Sequence, residues 1–244
     1  MDSLFKIIRE AGIIALNEQK KMKISEKSDL SIVTNGDLAV SVFLERELKK
    51  IYPDHDIFSE ENAGLIPKSK KVIIIDPIDG TESYSRNEDT WSVLIGFLDD
   101  MIPVGGVVYQ PITDNLFYGF KGQGSFKISA NIQTKLEAMG IGRIKGIQSF
   151  KDYGESEFLT SLGINEIGKM YSAALKIMKV AEGEFDAYPN FRKKCSLWDL
   201  VAPTVILEEA GGKVTYFDQM NPNFENPRID SRFCATGKRL SKIS

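Results

Sequence analysis

The stretch VIIIDPIDGT, residues 72–81, decides the reading of this chain. An apolar run of this length fits a strand whose backbone is paired and whose side chains are packed. The end of such a strand is rigid, and Asp76 sits there. Pro77 fixes φ and is expected to block continuation of the ladder. Asp79 follows a sharp turn, and Gly80-Thr81 is expected to open a helix with unpaired N–H groups. A helix start attracts anions. Within six residues the chain therefore offers carboxylates that can hold a cation and amides that can hold a phosphate.

Working outward, Glu60 and Glu61 close the expected strand DIFSEE, and Asp199 stands at the start of a long expected helix. If these acids converge on Asp76 and Asp79, the cluster cannot stay ionised without a counter-charge. Mg²⁺ suits hard oxygen ligands, and the chain has a single histidine and two cysteines. Several carboxylates can support a two-metal site with ions roughly 3.5–4 Å apart. The histidine count argues against histidine-nucleophile chemistry and multi-histidine zinc sites. His55, in YPDHDIF, is expected as an exposed loop histidine with no chemical role.

The remaining pattern reads as layered helices and strands. Leu4, Ile7, Ile8, Ala11, Ile14 and Ala15 recur at helical spacing near the start. A second amphipathic helix is expected over 37–53, with Asp37 as N-cap and Pro53 after its stop. SVLIGFLDD, IPVGGVVYQ, NLFYGF and SFKI follow as a meander of strands. Past residue 130, strands and helices alternate: RIKGIQSF, ESEFLTSLG, EIGKMYS, SAALKIMKVAEGE, FDAYP, WDLVAPTVILEEAGG, KVTYF and RFCATG. The expected architecture is an α/β sandwich of two lobes, 1–128 with most metal ligands and 129–244 completing the site. Trp91, Trp198, Met170 and Met178 are expected in or beside the core.

Composition narrows the partners. The 244 residues are 42% hydrophobic and 27% charged, with net charge −3, so no basic field attracts a nucleic-acid polymer. No apolar run reaches the length of a membrane span. The N-terminus does not read as a signal peptide, and Cys195 and Cys234 read as free thiols of a reducing compartment, so the cytoplasm is expected.

Five segments together resemble the Mg²⁺-dependent, lithium-sensitive phosphatase superfamily of inositol monophosphatases and bisphosphate nucleotidases. They are SIVTNGDLAV (31–40), FSEE (58–61), IIIDPIDGT (73–81), SAALKIMKVAEGEFDAYP (172–189) and LWDLVAPTVILEEAGGKV (197–214). The resemblance implies the α-β-α-β-α sandwich of that family and hydrolysis of a small phosphate ester by metal-activated water. It implies two or three Mg²⁺ ions: one held by Glu60, Asp76 and the Ile78 carbonyl, another by Asp76, Asp79 and Asp199. Thr81, bonded to Asp37, would orient the attacking water, with Gly80 and Thr81 amides on the phosphate and Glu61 aiding a third ion or water. Family members occur as monomers and homodimers.

Within the superfamily, SEE, DGTESYSRN and ALKIMKVAEGEFDAYPNF are similar to the CysQ-type 3′(2′),5′-bisphosphate nucleotidases, which act on 3′-phosphoadenosine 5′-phosphate. Lys176 matches that branch's lysine. Arg192 stands where inositol monophosphatases carry a hydroxyl-binding glutamate, and a cation suits a second phosphate better than a hydroxyl. The basic run 192–194 reads either as a contact to that phosphate or as a solvated basic turn. Pro203 replaces a glycine of the family pattern and is expected at the end of its helix's first turn. An inositol-1-monophosphatase or other sugar phosphatase is the alternative, and a catalytically silent metal-binding regulator a further one. A haloacid-dehalogenase-type enzyme fits poorly, because its aspartates stand one residue closer together.

Overall fold

The computed structural model describes residues 1–26, 32–62, 66–67, 69–192, 195–218, 226–229 and 231–240. The first half runs α1 (Asp2–Gln19), β1 (Ile24–Glu26), β2 (Ile32–Thr34), α2 (Asn35–Ile51), β3 (Asp56–Ser59), β4 (Lys71–Asp79), α3 (Thr81–Ser85), β5 (Ser92–Asp99), β6 (Ile102–Gln110), β7 (Asn115–Phe120), β8 (Ser125–Ser129) and β9 (Ile132–Lys135). The second runs β10 (Lys145–Gln148), α4 (Glu155–Ser161), β11 (Glu166–Lys169), α5 (Ala173–Ala181), β12 (Ala187–Asn190), β13 (Cys195–Ser196), α6 (Leu197–Glu209), β14 (Lys213–Tyr216), β15 (Arg228–Ile229), β16 (Phe233–Thr236) and a 3₁₀ turn at Lys238–Leu240.

Two mixed sheets organise these elements. Strands β3 to β9 lie in sequence order in a seven-stranded sheet, with β3 and β4 parallel and the rest antiparallel. The second sheet has the order β11-β10-β12-β16-β14. Helices α1 and α2 cover one face of the first sheet, α5 and α6 lie between the sheets, and α4 covers the second. The result is the expected α-β-α-β-α layering. Leu4, Ile7, Ile8, Ala11 and Ala15 are buried, as the helical spacing requires. No helix among the described residues is long and apolar enough to cross a membrane.

The seat of α6 is cut into the sheet by three glycines. Gly96, Gly106 and Gly119 are direct cross-strand partners on β5, β6 and β7. A Cβ on Gly96 would lie 2.5 Å from a Val201 methyl, and one on Gly106 would lie 2.4 Å from the Ala202 carbonyl oxygen. On Gly119 it would approach the Ile206 Cα to 3.1 Å. Backbone thus meets backbone across the middle of the molecule, and the depth of α6 fixes where its first turn, with Asp199, points.

Several local expectations are corrected. β4 does not stop at Pro77: it pairs Asp76 with Leu94 and then Asp79 with Ser92, one extra residue on β4 forming a bulge. Proline is tolerated there because the bulged N–H has no ladder partner. Asp37 is not the N-cap of α2; Thr34 is, and Asp37 is the third helical residue of a capping box. Pro203 lies in the second turn of α6, not at the end of the first. Its missing N–H removes the bond to the Asp199 carbonyl four residues back. His55 is half-buried rather than exposed, edge-on to Tyr52 and Phe97 at 5.2 and 6.5 Å. Strands β1, β2, β9, β13 and β15 were absent from the sequence reading; each is two to four residues long.

Gly106→Ala is expected to lift α6 from the sheet. The overpacking should cost about 1–3 kcal/mol, read as a lower urea midpoint with unchanged slope, and should weaken Mg²⁺ binding by displacing Asp199. A variant as stable as the parent would show that α6 does not need this approach.

Candidate metal centre

Asp76, Asp79 and Asp199 each offer a carboxylate oxygen to one place, all within 4.8 Å of one another. Asp76 and Asp79 are buried, and Asp199 is partly exposed. The bulge explains how two acids three residues apart share a site. Successive strand residues alternate faces, so positions 76 and 79 would oppose each other on a regular strand. The inserted residue restores them to one side.

Each acid is held by backbone amides. The Ile78 N–H donates to Asp76 Oδ1 at 3.0 Å. Asp79 accepts from the Ala174 N–H at 2.9 Å, from the Ala173 N–H at 3.3 Å and from the Ser172 hydroxyl. These donors are the first turn of α5, so a helix from the far half of the chain caps on a strand from the near half. The Ser196 N–H donates to Asp199 Oδ2 at 2.7 Å, and the Cys195 thiol lies 3.5 Å from the same oxygen. Asp199 is the third residue of a capping box begun by Ser196. Thr34 and Asp37 repeat that arrangement at α2, with the Thr34 N–H and hydroxyl both donating to Asp37 Oδ2 at 2.7 and 2.6 Å. The pattern Ser/Thr-x-x-Asp at 34–37 and 196–199 is the local signal that finds Asp37 without any family resemblance.

Electrostatics favour a cation. Desolvation holds the Asp76 carboxyl well above its usual range, and Glu60, Asp79, Asp199 and Asp37 push it further. Glu60 is not one of the three acids that meet within 4.8 Å, but its N–H donates to the Ile75 carbonyl, beside Asp76, and its charge acts on Asp76. Asp79 is raised by burial despite its hydrogen bonds, and desolvation followed by the Asp79 charge lifts Asp199 to about 7. An all-oxygen donor set with this much unneutralised acid fits a hard divalent ion. Glu61 is partly exposed at the end of the same segment as Glu60.

Around this cluster, Gly80 turns with φ of 91°, and a Cβ there would meet the Thr90 carbonyl at 2.8 Å, so glycine is required. Thr81 opens α3, and its hydroxyl donates to the Ile78 carbonyl at 3.1 Å. Tyr84, fully buried, donates to the Ala15 carbonyl at 2.7 Å and packs edge-on against buried Trp91 at 4.9 Å, tying α3 to α1. Lys176 is buried beneath the site. Its ammonium donates to Ser149 Oγ (2.8 Å) and to the carbonyls of Met170 (3.2 Å) and Tyr171 (3.1 Å), with the Tyr188 ring 4.7 Å away. Burial pushes it down to about 8, opposed chiefly by the Asp79 charge. Arg192 is exposed, its N–H bonded to Asn190 Oδ1; Lys193 and Lys194 lie outside the described residues.

With this geometry established, comparison with known proteins defines the class. The inositol monophosphatase family model matches residues 2–238, and the chain belongs to that family. It is 30% identical over 237 residues to a fructose-1,6-bisphosphatase/inositol-1-monophosphatase of Aquifex aeolicus, covering 88% of this chain and 87% of that one. It is equally 30% identical over 237 residues to the 3′(2′),5′-bisphosphate nucleotidase CysQ of Buchnera aphidicola, covering 92% and 87%. The crystal structure of the extragenic suppressor protein suhB of Bartonella henselae shares the fold, with TM-score 0.82 at 24% identity over 99% of this chain and 95% of that one. Equal similarity to differently named relatives removes the preference for the bisphosphate nucleotidase branch expected from the motifs. The class is a metal-dependent phosphomonoesterase.

A raised carboxylate pKa stabilises the fold only while the group is protonated, and that contribution is lost as pH rises through the folded value. The protein in EDTA is therefore expected to lose thermal stability as pH rises from the ordinary carboxylate range to about 7, to which Asp199 is lifted, and to level off above it. Mg²⁺ should restore it, and the Mg²⁺-induced rise in Tm should be larger at pH 8 than at pH 5.5. Calorimetry at both pH values checks this; an equal rise would contradict it.

Proposed function

We propose that the chain hydrolyses small phosphate monoesters with Mg²⁺, inositol and sugar monophosphates foremost. The convergence of Asp76, Asp79 and Asp199 in a buried, amide-supported pocket carries this reading. Glu60, Asp76, the Ile78 carbonyl, Asp79 and Asp199 would hold two or three ions. The ions supply Lewis-acid stabilisation of charge on the phosphoryl oxygens and lower the pKa of a nearby water. The remaining work falls to the protein. The amides of Gly80 and Thr81 receive phosphoryl oxygens. Thr81, whose hydroxyl donates to the Ile78 carbonyl instead of making the expected bond to Asp37, would orient the attacking water together with Asp37, and Glu61 would assist through a further water or ion. Lys176 holds the Tyr171 backbone and balances the Asp79 charge under the substrate.

A second reading is a 3′(2′),5′-bisphosphate nucleotidase acting on 3′-phosphoadenosine 5′-phosphate. It is favoured by Arg192, an exposed cation where inositol monophosphatases carry a carboxylate, and by the CysQ relative. Here Arg192 binds the phosphate that does not react, and Lys176 supports it from below.

Phosphate release should be measured with Mg²⁺ on inositol 1-phosphate, fructose 1,6-bisphosphate and 3′-phosphoadenosine 5′-phosphate. Asp79→Asn should lower kcat by about 100-fold or more, and Thr81→Ala should lower kcat with little change in KM. Arg192→Glu should raise KM for the bisphosphate nucleotide and not for inositol 1-phosphate if the second reading holds. A folded protein that takes up Mg²⁺ yet releases no phosphate from any of the three would favour a silent regulator instead.

A further inference from the structure

Two donors meet on one carboxylate oxygen of Asp199. The Ser196 N–H reaches Oδ2 at 2.7 Å, and the Cys195 thiol lies 3.5 Å from the same atom. The capping box of α2 repeats the arrangement with different chemistry. There Asp37 Oδ2 takes the N–H of Thr34 at 2.7 Å and the Thr34 hydroxyl at 2.6 Å. Each box thus gives the aspartate at its third helical position one backbone donor and one side-chain donor. At α2 the side-chain donor is the cap residue itself; at α6 it is the residue before the cap. Cys195 is held firmly enough for this post. It is buried, and its backbone pairs across β13 and β15 with buried Ile229. Two residues on, the Leu197 N–H donates to the Pro227 carbonyl at 3.0 Å and pins the start of α6.

We propose that Cys195 is a positioning residue for metal binding: its thiol holds Asp199 Oδ2, which leaves Oδ1 to the ion. Asp199 is a ligand under the metal-dependent reading above, on which the inference rests. A carboxylate with one donor can still pivot about that bond. A second donor on the same oxygen, from a second residue, sets its plane. Groups that hold a ligand from behind commonly govern metal affinity nearly as much as the ligand does. A thiol suits the task in a particular way. Buried, it stays protonated at neutral pH, and it donates weakly. It therefore orients the carboxylate while taking little of the charge that a cation needs. The competing role is that of a small apolar filler, which buried cysteines commonly play. Cys234 on β16 is the internal standard for that role. It is equally buried, and its thiol faces the Ala235 carbonyl oxygen at 3.8 Å rather than an acid.

The test is a calorimetric Mg²⁺ titration of the full chain and three variants. Cys195→Ala should raise the Mg²⁺ Kd about tenfold. Cys195→Ser, which keeps a donor, should return it close to the parent's. Cys234→Ala should leave it unchanged, whatever that variant costs in Tm. The proposal is overturned if Cys195→Ala binds Mg²⁺ as the parent does, if Cys234→Ala weakens binding equally, or if Cys195→Ser is no better than Cys195→Ala. If the parent takes up no Mg²⁺, the metal reading itself fails, and the infrared S–H stretch decides whether the thiol holds Asp199. The chain has two cysteines, so Cys234→Ala leaves Cys195 as its one thiol. Its band should lie at lower frequency than the Cys234 band of Cys195→Ala, and adding Asp199→Ala should move it up. A Cys195 band indifferent to Asp199→Ala would overturn the contact.

Discussion

Three carboxylate oxygens within 4.8 Å of one another, two of them on buried aspartates, set the terms for this molecule. At an effective dielectric of about 20, each such pair of full charges repels by roughly 3–4 kcal/mol. Three pairs approach the whole stability of an ordinary domain. The fold answers only in part. It turns amides towards the acids: Ile78 to Asp76, Ala173 and Ala174 to Asp79, Ser196 to Asp199. Amide dipoles soften the repulsion and fix the geometry, but they leave Asp76 and Asp199 raised. Protons or a divalent ion must supply the remainder, and at neutral pH the ion is the more effective partner. Metal affinity is thus stored as unrelieved repulsion in the folded chain.

Assembling such a cluster needs elements that would not otherwise meet. The β4 bulge brings Asp76 and Asp79 to one side of the sheet. The glycine row on β5, β6 and β7 sinks α6 until its capping box reaches them. The start of α5, arriving from beyond the second sheet's first strands, caps on Asp79. These devices depend on one another: a β4 without its bulge would point one acid away, and a shallower α6 would hold Asp199 out of reach. Pro203 fits this picture. It leaves the Asp199 carbonyl without its helical partner and stiffens the turn that follows Asp199.

Much of this was legible in the sequence, for physical reasons. Long apolar strands and amphipathic helices announce themselves by period, which is why β4 to β8, α1, α5 and α6 were found and the layered architecture followed. The acidic strand end and the glycine at position 80 carried the chemistry. Of the missed strands, β1, β2, β13 and β15 have only two or three residues, too few to show a period, and β13 and β15 pair only with each other. Pro77 misled because a proline rule written for regular ladders does not cover bulges. Asp37 was read as a cap by type, whereas its role depends on Thr34 three residues earlier. Lys176 could be matched by resemblance, but only packing reveals that its ammonium is spent on Ser149 and two carbonyls.

The chain separates fixed chemistry from adjustable recognition. Acids, amides and the glycine turn lie on strand ends and helix starts, where buried backbone leaves no room for change. Arg86, Phe150 and Arg192 are exposed, where substitutions cost the core little. Such a division is compatible with one family whose members carry different names at equal similarity to this chain. On such a chain exposed positions can change without moving the carboxylate cluster.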